Sequence, residues 1–70
     1  YFDVVVANIL ASSLIDLAPT FSRSLRQGGS LVLAGVLDHQ ASRVMQAYPG
    51  VKFGPTVAED EWVCLAGTLA

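Results

Sequence analysis

The chain has 70 residues, 53% of them hydrophobic and only 14% charged, with a formal net charge of −2. A chain this short hides only about 60% of its unfolded surface, so such an apolar composition predicts a piece of a larger fold, with faces meant to be covered. The charge excludes the basic stripe a nucleic-acid binder needs, no run approaches the roughly 20 apolar residues that span a bilayer, and the single Cys64 cannot close an internal disulfide, in keeping with a reducing cytoplasm.

Tyr1 leads almost directly into a strand, without a basic leader. Val4-Val5-Val6-Ala7 is β-branched and continuously apolar, the pattern of a strand enclosed on both faces of a parallel sheet. It ends at Asn8. A helix follows, with Ser12 or Ser13 as its expected N-cap. Leu14, Ala18, Phe21 and Leu25 recur at helical spacing, and Ile15 and Leu17 widen the stripe. Pro19 lies inside that pattern, where it removes the hydrogen bond to Ile15, so a kink is expected with the proline opening a second helical stretch. Gly28-Gly29 is expected to end the helix.

Leu31 to Val36 reads as a second buried strand, and Asp38 as the N-cap of a helix carrying Ala41, Val44, Met45 and Tyr48 on one face. Pro49-Gly50 stops it. Two shorter strands are predicted near Val51–Gly54 and Trp62–Thr68, joined by a turn bearing Glu59, Asp60 and Glu61. Alternating strands and helices predict an α/β sheet: two parallel strands with crossover helices and a terminal antiparallel hairpin. The first strand would keep one open side. Such an apolar edge pairs readily with another chain, so the isolated polypeptide is expected to self-associate.

Several segments resemble one family. Phe2 to Leu10 is similar to the fourth strand and following loop of class I methyltransferases, where a phenylalanine-aspartate pair leads into an apolar strand ending in asparagine. Leu25-Arg26-Gln27-Gly28-Gly29-Ser30-Leu31-Val32-Leu33 is similar to the helix end, double glycine and fifth strand of that fold. Ala7 to Ala11, Leu17-Ala18-Pro19, Gly35-Val36-Leu37, Gln40-Ala41, Ala47-Tyr48 and Glu61-Trp62, in that order, resemble the C-terminal part of the PrmA type. The resemblance implies the C-terminal half of a Rossmann-like class I sheet, with residues 1–70 forming one partial methyltransferase domain. It further implies S-adenosylmethionine as cofactor, amino groups of a ribosomal protein as acceptor, and a cytoplasmic enzyme. The glycine-rich loop that holds most of the cofactor in that family has no counterpart here, because Gly28-Gly29 precedes a strand instead of following one. The isolated chain is therefore expected to be inactive.

Asn8 is the candidate catalytic and cofactor-binding residue. Ligands of open α/β sheets sit outside the carboxyl ends of the strands, where Asn8 is expected. Methyl transfer from a sulfonium needs an amine lone pair held in line, and an asparagine carbonyl can accept an amine N–H and orient it. Read without the family, Asn8 is equally a cap of the loop or of the next helix. Ile9 and Leu10 are candidate substrate-binding residues, lining an apolar slot for an alkyl amine; ordinary packing at the helix start explains them equally well.

The other chemistry-bearing residues read as structural. Asp3 is about five residues before Asn8, at the far end of the same strand at about 3.3 Å per residue. His39 has no partner histidine and reads as a solvated helix-terminal residue. Cys64 lies in an apolar strand as buried filler, Trp62 as sheet packing, and Glu59-Asp60-Glu61 as a solvated turn. No metal-ligand spacing occurs. Two alternatives to the ribosomal-protein enzyme stand beside it: a class I methyltransferase with another acceptor, and a non-catalytic interaction or dimerisation module using the open strand edge.

Overall fold

A computed structural model describes residues 1–70. Strand β1 (Phe2–Asn8) is followed by two short helices, α1 (Ala11–Asp16) and α2 (Ala18–Ser24), then β2 (Leu25–Leu37). A 3₁₀ turn (Asp38–Gln40) leads into α3 (Ala41–Gln46), and β3 (Val51–Phe53), β4 (Val57–Glu59) and β5 (Trp62–Leu69) complete the chain. The sheet runs β1-β2-β5-β3, with β4 also paired to β5. β1 and β2 are parallel. β5 is antiparallel to both β2 and β3, so β3 points the same way as β1 and β2. The expected α/β sheet and its closing antiparallel pair are present; β4, pairing Val57–Glu59 with Trp62–Cys64, has no counterpart in the sequence reading.

The helices cover one face only. Ala7, Leu31, Leu33, Val63 and Leu65 from the strands join Leu14, Ala18, Val44 and Tyr48 in one buried cluster. On the opposite face Val4 and Val6 are 55% and 68% exposed. β1 is thus an edge strand, as expected, but it is not enclosed on both faces. Its unbroken apolar run serves one covered face and leaves the other bare.

Local chemistry accounts for the helix boundaries. Pro19 cannot donate to the carbonyl of Ile15, and the helix breaks at Leu17 (φ −90°, ψ 1°) with the proline in the first turn of α2. This is the expected interruption. The cap of α1 differs from expectation: Leu10 is the extended N-cap residue and Ala11 starts the helix, so Ser12 and Ser13 lie inside it. Likewise Leu37, not Asp38, precedes the 3₁₀ turn. There Gln40 Oε1 accepts the Leu37 N–H at 3.1 Å, the reach-back half of a capping box.

The double glycine does not end a helix. α2 stops at Ser24 and Leu25 is already extended (φ −89°, ψ 131°). Gly28 and Gly29 sit instead in an irregularity of β2, where the pairing with β1 jumps from Phe2↔Leu25 to Val4↔Ser30. Gly28 takes φ +82°, and a Cβ on Gly29 would lie 2.7 Å from the Arg26 carbonyl oxygen and 2.8 Å from that of Asp3. The glycines let β2 bulge and still touch β1.

One buried polar contact ties the layers together. The Tyr48 hydroxyl donates to the Leu14 carbonyl oxygen at 2.7 Å, in the last turn of α1, where carbonyls lack intrahelical donors. The Tyr48 ring also meets Phe53 edge-on, with centroids 6.4 Å apart. No helix is long and apolar enough to cross a membrane.

Candidate functional site

Because β1 and β2 are parallel, their carboxyl ends share one rim. Asn8, the last residue of β1, pairs with Ala34 of β2. β5 runs the other way, so its first residue, Trp62, reaches the same rim opposite Leu37. The 3₁₀ turn and the β4–β5 turn close that end, linked by the Asp38 N–H donating to the Glu61 carbonyl at 2.9 Å.

Asn8 is exposed, and none of the chain's side-chain hydrogen bonds engages its carboxamide. Neither does it cap α1, whose N-cap residue, Leu10, makes no side-chain cap bond. Its Oδ1 lies close to the α-carbon of Gly35, where an added Cβ would be only 2.8 Å away. Both the acceptor and the donor of this amide are therefore available at the rim.

Ile9 and Leu10 are 37% and 71% exposed. Neither belongs to the buried cluster. Leu10 lines a shallow depression of 260 Å³ together with Gly35, Leu37, Gln40 and Trp62. Trp62 pairs in the sheet with Leu37 and Glu59 and, at 53% exposed, also lines this depression. Gln40 and Gly35 carried no signal of their own, since a lone glutamine and a strand glycine are ordinary. Positive φ at Gly35, +79°, was invisible in the one-dimensional pattern.

The remaining candidates fall where they were expected or nearly so. Asp3 stands at the opposite end of β1 and forms an ion pair with Arg26, across from the bulge. His39 is exposed in the 3₁₀ turn. Cys64 is a free thiol but only half-buried, because its face of the sheet is the bare one. Glu59 ends β4, and Asp60 and Glu61 make the tight turn to β5, with Asp60 at φ 55°, a conformation aspartate tolerates better than most. No group of three His, Cys, Asp or Glu side chains is placed to hold a metal ion. The largest depression, 610 Å³ between Tyr1, Arg23, Arg26 and Leu69, lies at the amino end of the parallel strands. In sheets of this kind ligands bind at the other end.

The family model for ribosomal protein L11 methyltransferase (PrmA) matches residues 1–70. The chain belongs to that family. It is 48% identical over 66 residues to the ribosomal protein L11 methyltransferase of Chelativorans sp., a match covering 91% of this chain and 23% of that protein. Against the protein of the same name from Cellvibrio japonicus it is 48% identical over 69 residues, covering 97% and 24%. The crystal structure of the ribosomal protein L11 methylase of Lactobacillus delbrueckii subsp. bulgaricus superposes with a TM-score of 0.89 at 30% identity, over 97% of this chain and 36% of that one. The chain thus spans about a quarter of the length of these curated PrmA relatives.

Proposed function

We propose that the chain is the acceptor-side portion of an S-adenosylmethionine-dependent N-methyltransferase acting on amino groups of a ribosomal protein, corresponding to the C-terminal half of a class I methyltransferase sheet. One observation carries this reading: in a member of the PrmA family, an exposed carboxamide free of internal hydrogen bonds stands at the exit of a parallel strand. The residues fit one wall of a cofactor site and not the whole of it. Asn8 offers an amide acceptor and donor, while the three glycines of β2, Gly28, Gly29 and Gly35, are taken up by irregularities in its pairing.

S-adenosylmethionine supplies, when bound, an electrophilic methyl carbon on a sulfonium. The chain's own residues do the positioning. Asn8 Oδ1 accepts an N–H of the neutral amine and turns its lone pair toward the methyl carbon, while Asn8 Nδ2 can donate to the cofactor. Leu10 and Trp62 present apolar surface in the depression that also borders Gly35, the residue against which Asn8 Oδ1 lies, and such surface suits the alkyl stem of an amine and sheds water. No general acid or base is required of the rim, because the amine attacks as its free base and passes its proton to solvent afterwards.

The test is Asn8→Ala in the longer methyltransferase that carries this segment. Misplacing a reacting group typically costs on the order of 100-fold, so a loss of at least that size in kcat is expected. Unchanged turnover removes Asn8 from the mechanism.

A second reading rests on the bare edge of β1, where Val4 and Val6 face solvent and no partner strand is present. On that reading the isolated chain is an association module, and its activity plays no part.

A further inference from the structure

The carboxyl rim contains a backbone irregularity that the site chemistry above does not use. Between β2 and β5 the pairing passes from Leu33↔Leu65 to Val36↔Val63. Ala34 and Gly35 on β2 therefore stand opposite the single residue Cys64 on β5. Such a bulge, with glycine in the left-handed region, bends the strand and re-aims what lies beside it. Gly35 has φ +79°. A Cβ built on it would fall 2.8 Å from Asn8 Oδ1, 3.2 Å from the Ile9 carbonyl oxygen and 3.7 Å from the Ile9 nitrogen. The missing side chain is thus the space in which the Asn8 carboxamide and the first turn of backbone after it lie.

We infer that Gly35 is a positioning residue: its bulge and its lack of a Cβ form the seat that sets where the Asn8 carboxamide points. This rests on the role proposed for Asn8. Two features separate a seat from ordinary strand packing. The nearest collision is with the tip of the Asn8 side chain, a group that can swing away, so added bulk at position 35 displaces the amide before it displaces the Ile9 backbone, in addition to the strain that any side chain meets at φ +79°. The second contact is with the Ile9 carbonyl on the segment that carries Leu10 to the depression, so the same bulk also shifts the apolar wall. By contrast, the glycine at position 29 would collide first with two main-chain oxygens, and its replacement acts on the sheet alone.

The experiment is a kinetic double-mutant cycle in the longer methyltransferase, using Gly35→Ala, Asn8→Ala and both together. Gly35→Ala is expected to lower kcat about 10- to 100-fold, with KM for S-adenosylmethionine within about threefold of wild type. In the Asn8→Ala background the same change is expected to cost less than about threefold, because the group it displaces has gone. A severe loss in Asn8→Ala with undiminished kcat in Gly35→Ala, or losses that multiply in the double variant, overturns the seat and leaves the role of Asn8 standing. Undiminished kcat in Asn8→Ala overturns both. Should Gly35→Ala fail to fold, NMR of the wild-type longer methyltransferase decides. A nuclear Overhauser effect between the Gly35 α-protons and the Asn8 side-chain amide protons supports the seat, and its absence overturns it.

Discussion

Tyr48 shows how much a single side chain carries in so small a core. It is 1% exposed, and its hydroxyl donates to the Leu14 carbonyl, joining the end of α3 to the end of α1. Tyr48→Phe keeps the ring and its contact with Phe53 but leaves that carbonyl unpaired. The expected loss is about 1–3 kcal/mol, read as a lower urea midpoint with an unchanged slope. Burial also pushes the Tyr48 phenol above its ordinary pKa of 10.0. Above that pH the unfolded chain gives up the proton while the folded chain keeps it, so folding is opposed and stability falls as pH rises. Below it both states hold the proton and the group contributes no slope. A urea midpoint that declines above about pH 10 in the wild type, and declines less in Tyr48→Phe, is the expected outcome.

At the scale of elements, bulges govern the sheet more than caps govern the helices. Gly28-Gly29 and Gly35 each sit where pairing slips along β2, and together they let one long strand serve two neighbours of different length. Gly29→Ala would drive a methyl group against the carbonyls of Arg26 and Asp3. Overpacking against backbone costs about 1–3 kcal/mol, which is expected to appear as lost unfolding cooperativity or a lower thermal midpoint. A thermal midpoint equal to wild type would show that β1 and β2 are not held together at this point. The helices are short, six or seven residues each. Their stability comes from packing on the sheet and not from helix propensity.

For the molecule as a whole, the uneven covering of the sheet dominates. One face carries all three helices, and the other shows Val4 and Val6 to solvent beside an unpaired edge. The only charge on β1, Asp3, is already engaged by Arg26, so nothing on that edge discourages pairing. The isolated chain is expected to sediment as a dimer or larger species. Val6→Lys, which puts a solvated cation on the bare face, is expected to shift it toward monomer. Wild-type chain sedimenting as a single monomeric species at tens of micromolar would sink the second reading.

The sequence by itself determined the order of strands and helices, the break at Pro19, the parallel first pair and the position of Asn8 at a strand end. These follow from local rules: hydrophobic period, the missing proline N–H and β-branching. Asn8 was legible as a candidate because a polar residue ending an apolar strand is a local signal. Tertiary structure decided that the double glycine serves a bulge and not a helix end, that β4 exists, and that Trp62 and Gln40 line one depression with Gly35, which in turn lies against Asn8. Each of those depends on which strands become neighbours and in what register. Residues 8 and 35 meet across the parallel β1–β2 pair, whereas Trp62 reaches the depression beside Gly35 only because β5 enters between β2 and β3, a pairing that no residue near it encodes.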